Sequence, residues 1–80
     1  MPKPKRLSGS EVVHIFESFG FVVEKQRGSH LKLSRSENGD RQVLLISNHK
    51  ELKTGAIVGI FKQAVRYISE SDLRKYFYTE

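Results

Sequence analysis

Arg27-Gly28-Ser29-His30-Leu31-Lys32 places an imidazole, a guanidinium and an ammonium group around one glycine. Histidine can accept or donate a proton near neutral pH, the two cations can hold phosphate oxygens, and a glycine at a tight turn lets backbone approach a ligand closely. With Ser29 sharing the turn and Lys25 just upstream, these groups suit cleavage of RNA. That reaction needs a base for the 2′-hydroxyl proton, charge stabilisation for a pentavalent phosphorane and an acid for the leaving oxygen. The ribose supplies the nucleophile, so no metal is required. Taken alone, however, a single histidine beside lysine is more often a solvated residue than a catalyst.

Competing chemistries fare worse. His14, His30 and His49 are not at helix-face spacing, the acidic residues do not cluster with them and cysteine is absent, so neither a metal site nor a cofactor is expected. A Ser29-His30 nucleophilic pair is disfavoured because neighbours in a strand point to opposite faces. The glycine-rich phosphate motifs of nucleotide enzymes are missing. Without cysteine there is also no disulfide and no thiolate nucleophile.

These groups must be carried by a small frame. Eighty residues, 38% of them hydrophobic, support one domain with one small core and no deep cleft, so any site lies on a surface. Fourteen Lys and Arg against nine Asp and Glu give +5 and favour a polyanionic partner. The excess is concentrated: residues 1–35 hold seven basic and three acidic side chains, residues 36–80 seven and six. No apolar run reaches the length of a membrane span and MPKPKRL lacks the apolar centre of a signal peptide, so a cytoplasmic protein is expected. Residues 1–6 read as a flexible basic N-terminus and 7–80 as a single domain.

Along the domain, Ser8 with Glu11 forms a capping-box pattern, Leu7 with Val12 a hydrophobic staple, and Val12, Ile15, Phe16 and Phe19 an apolar helical stripe that Gly20 terminates. His14 lies off that stripe as a solvated position. Three strand-like segments follow, 21–27, 29–36 and 41–48, broken by Gly28 and by Asn38-Gly39. Their short connections predict an antiparallel meander. In the middle segment Leu31 and Leu33 point one way, His30, Lys32 and Ser34 the other. A second helix is predicted from Thr54 as N-cap, burying Ile57, Ile60, Phe61 and Ala64, with Gly55 and Gly59 read as sites of close packing. A last helix follows Ser69, with a Ser69/Asp72 capping box and an Ile68/Leu73 staple. The expected fold is α+β in the order α-β-β-β-α(-α), with helices on one face of a three-stranded antiparallel sheet.

Read in order, Gly20-Phe21, then RGSHLKL at 27–33, then ISNHKELKTGAIVGIFKQA at 46–64 resembles the HicA (YcfA-like) family of small bacterial toxins, over roughly residues 7 to 77. The resemblance implies a double-stranded-RNA-binding-domain-like fold and a ribonuclease that cleaves messenger RNA and arrests translation. It makes the histidine of Gly-Ser-His, here His30, the catalytic residue. It also implies a HicB-type antitoxin as partner. Two departures stand out: Ser47-Asn48-His49 replaces the common Pro-x-His, and Gly55-Ala56-Ile57 replaces Gly-Thr-Leu. His49, followed by Lys50, matches the family's second histidine; its role here is either to bond the loop before the helix or to serve as a substrate contact or proton partner.

The resulting expectation is a metal-independent messenger RNA endoribonuclease with His30 as general acid or base, Lys25, Arg27 and Lys32 on phosphates, and Gly28 and Ser29 setting the turn. The alternative is a non-catalytic RNA-binding module using the same basic sheet face. A third reading is an inactive copy that serves only inside a toxin–antitoxin complex.

Overall fold

The computed structural model describes residues 3–79. Helix α1 (Gly9–Ser18) starts as its sequence dictates. The Ser8 hydroxyl accepts the Glu11 N–H at 3.0 Å and the Glu11 carboxylate accepts the Ser8 N–H at 2.8 Å, so two amides left over by the first turn are satisfied. Its end is a Schellman motif. Gly20 takes φ +93°, its N–H donates to the Glu17 carbonyl and the Phe21 N–H to the Phe16 carbonyl, and the Phe16 and Phe21 rings meet at 5.9 Å. Val12 and Phe16 are buried, whereas Ile15 and Phe19 pack on the margin of the core.

The meander forms as β2 (Val22–Arg27), β3 (His30–Glu37) and β4 (Asp40–Ser47), antiparallel with β3 in the centre. Both turns follow from their residues. Asn38 and Gly39 have φ of +52° and +84°, the type I′ geometry that matches strand twist; Gly28 at +60° followed by Ser29 at negative φ is type II′. Leu31 and Leu33 of β3 and Leu44 and Ile46 of β4 are buried under α1 and α2 (Thr54–Ala64), the latter contributing Ile57, Ile60, Phe61 and Ala64. Helix α3 (Glu70–Phe77) closes the core with Leu73 and Phe77. The α-β-β-β-α-α order, with helices on one sheet face and the other face open, agrees with the sequence expectation.

Four details differ. Lys53 rather than Thr54 is the N-cap of α2, because the Leu52 N–H is tied to the Leu7 carbonyl at 2.9 Å and the helix begins directly after that anchor. Ser69 sits at the N-cap position of α3, but its hydroxyl faces that of Ser71 at 3.0 Å, makes no cap bond, and the Asp72 box does not form. A β-carbon at Gly55 or Gly59 would meet nothing within 4 Å, so close packing does not explain them. The close approach is at Gly9, where a β-carbon would come within 2.6 Å of the Asn48 Cα. Where the sequence suggests a flexible lead-in over 1–6, Lys3–Pro4 (β1) pairs antiparallel with Tyr78–Thr79 (β5), and the Lys5 N–H donates to the Phe77 carbonyl. Residues 1 and 2 of that stretch lie outside the described residues. No helix among those described is long and apolar enough to cross a membrane.

Candidate nucleic-acid interface

The open face of the sheet is laid out by register. Residues directly opposite on neighbouring strands share a face, so Arg27, His30 and Ser47 form one row across the three strands. Lys25, Lys32 and Leu45 form the next. A bulge between Val23 and Lys25 creates this arrangement. Continued regularly from Val23 opposite Leu33, the ladder would turn Lys25 to the helix side and carry Arg27 past His30. The extra residue, Glu24, shifts the register by one and brings both cations onto the histidine face.

At the end of the hairpin the II′ turn holds Arg27 opposite His30. The turn is pinned from the side: the Asn48 N–H donates to the Ser29 carbonyl at 2.6 Å and the Gln26 amide to the Gly28 carbonyl at 3.3 Å. The segment after β4 is held in turn by α1, whose Gly9 N–H donates to the His49 carbonyl at 2.8 Å. Helix start, strand end and the Gly28-Ser29 turn are thus one hydrogen-bonded unit, and Gly9 is required by its closeness to Ser47 and Asn48.

Lys25, Arg27, His30 and Lys32 line a single shallow pocket of about 240 Å³, together with Leu31 and Leu45. His30 is exposed, and the side chains of Lys25, Arg27 and His30 make no hydrogen bond or ion pair among the described residues. Lys32 differs, lying 3.6 Å from Glu24. Arg41 also reaches both Glu24 carboxylate oxygens, and hydrogen bonding from Ser34 and from Arg41 holds the Glu24 pKa down from the ordinary 4.5 to about 2. Opposite charges and hydrogen bonds to the ionised form act in the same direction there.

His49 and Lys50 do not enter this pocket. They line a second depression of about 500 Å³ with Ser47, Leu52, Lys53 and Ala56, beside the start of α2. The loop-bonding role considered for His49 is performed by its backbone carbonyl; its side chain is exposed. Among the described residues no group of three or more His, Cys, Asp and Glu side chains is placed to share a metal ion.

Two residues of this face were not apparent from sequence. Glu24 carries the bulge and neutralises one end of the cation cluster, yet in VVEKQR nothing distinguishes it. Leu45 stands exposed in the pocket although it lies within the apolar run VLLI. Its pairing opposite Lys32 is the signal that places it outside.

Residues 9–65 match the family model described as HicA toxin of bacterial toxin-antitoxin. No curated protein and no solved structure matches the chain.

Proposed function

The chain belongs to the HicA toxin family, whose model spans most of its length, and from that premise we propose that it is an endoribonuclease that cleaves messenger RNA without a metal, using His30 for proton transfer. One observation carries the reading: His30 stands on the open sheet face, outside the core, in one pocket with Lys25, Arg27 and Lys32. In the reaction the 2′-oxygen attacks the adjacent phosphorus, its proton passes to a base, the bond to the 5′-oxygen breaks and that oxygen takes a proton from an acid. The products are a 2′,3′-cyclic phosphate and a 5′-hydroxyl, with no change of oxidation state. His30 serves one of the two proton transfers, and Arg27 with Lys25 offsets the charge that gathers on the phosphoryl oxygens. General acid–base catalysis of this kind contributes about 10²–10⁴-fold, a slow nuclease but sufficient for a toxin that acts on messages inside its own cell. A HicB-type antitoxin would silence the protein by covering this face.

The rival reading, an RNA-binding module without catalysis, is favoured by one feature. The pocket holds a single imidazole and no carboxylate lines it, so the second proton has to travel through a cation or water. Incubating RNA with purified protein in excess EDTA separates the two. Wild type is expected to yield fragments with cyclic-phosphate ends, and His30→Ala to yield at least a hundredfold fewer. Equal cleavage by both proteins rules out His30, and binding without fragments establishes the module.

A further inference from the structure

Leu45 is 60% exposed and lines one side of the cationic pocket. A single exposed leucine needs no explanation by itself. This one is fixed in place, because the Gln63 side-chain amide, reaching down from α2, accepts the Leu45 N–H at 2.9 Å and donates to the Leu45 carbonyl at 3.3 Å. Both backbone groups of Leu45, which face the outer edge of β4, are thereby occupied, and Leu45 is held on the open face opposite Lys32. His30 pairs with Ser47, two residues along, so Leu45 is its diagonal neighbour at roughly 7–8 Å between backbones. A nucleotide whose phosphate rests on Arg27 and His30 therefore has its base within reach of an apolar surface, with Lys25 and Lys32 beside it.

We propose that Leu45 is the seat for one unpaired nucleobase and that the pocket takes single-stranded rather than duplex RNA. This rests on the reading of the face as an RNA site and adds to it a specificity-determining residue. In a duplex the flat faces of the bases are covered by their neighbours and the A-form major groove is too narrow for side chains, so only a splayed nucleotide can lay its base on Leu45. Single-strand binding generally combines cations that follow the backbone with aromatic rings that receive bases regardless of identity; here the side chain of Leu45 takes the place of the ring through apolar contact alone. Weak sequence preference follows, since leucine offers a base no hydrogen bond.

The test is an abasic scan. A short single-stranded oligoribonucleotide is prepared with an abasic ribose at each position in turn, and its affinity is measured for His30→Ala, which suppresses turnover, and for His30→Ala with Leu45→Ala. One position is expected to weaken binding about five- to tenfold when its base is removed, and that sensitivity to fall below about twofold once Leu45 is truncated. Annealing the oligonucleotide to its complement should cost as much or more. Insensitivity at every position, unchanged sensitivity without Leu45, or equal affinity for the duplex would each overturn the proposal. The same scan on wild type, together with cleavage in EDTA, keeps the two ideas apart. Base sensitivity without fragments sinks catalysis alone, and fragments without base sensitivity sink the seat alone.

Discussion

Two arginines of one β-hairpin have opposite surroundings. Arg35, towards the far end of β3, is mostly enclosed: its guanidinium donates to Gln42 at 2.6 Å and to the Phe19 and Tyr67 carbonyls at 2.6 and 3.0 Å, and it lies 4.8 Å above the Phe21 ring. It ties the end of α1 to the connection between α2 and α3. Arg27, at the turn, lies exposed next to an equally exposed histidine, and no internal acceptor engages it among the described residues. The contrast teaches that in so small a basic protein charge alone does not mark a binding site. What marks it is a cation whose donors the fold leaves unused, on a face that nothing else covers.

That contrast can be broken in order of effect. His30→Ala should reduce cleavage by about 10²–10⁴-fold while leaving the urea unfolding midpoint unchanged, because the residue contributes nothing to the core. A shifted midpoint would reassign His30 to the structural side. Arg35→Ala should do the reverse, costing about 2–3 kcal/mol of stability by stranding three acceptors, with cleavage per folded molecule preserved. Denaturant titration and a rate corrected for folded fraction decide it. Arg27→Ala should weaken binding of single-stranded RNA of any sequence and flatten the plot of log affinity against log salt by about 0.7, one phosphate contact; an unchanged slope would remove Arg27 from the interface.

Glu24→Gln should have the smallest effect, a lowered thermal midpoint above about pH 4.5 that disappears in acid. The Glu24 pKa is depressed, so its ion pairs stabilise the fold above the ordinary 4.5 and are lost as pH falls towards about 2. Thermal midpoints of wild type and variant should therefore differ above that window and converge below it. Parallel curves across the whole range would show that the Glu24 carboxylate gains nothing from Ser34, Arg41 and Lys32.

Much of this was legible in the residues because the signals were local. Ser8 with Glu11, Gly20, Gly28 and Asn38-Gly39 each demand one backbone geometry, and each adopts it. The alternation around His30 placed Leu31 and Leu33 inside and Lys32 outside for the same reason. The rest depended on contacts between distant residues. Arg35 and Arg27 are the same letter, and only the carbonyls of Phe19 and Tyr67 separate them. The bulge at Glu24 left no trace because β2 is an edge strand exposed on both faces, with no apolar pattern to fix its register. Thr54 and Ser69 carried cap chemistry, but the Leu52 anchor displaced the first and a neighbouring serine engaged the second.

The bulge has one more consequence, for what the strand can lose. Because Glu24 is surplus to the ladder, a chain shorter by that single residue still sets Lys25 against Lys32 and Arg27 against His30, now in unbroken pairing. Loss of that one residue is therefore uncoupled from the alignment of the row that holds Arg27 and His30.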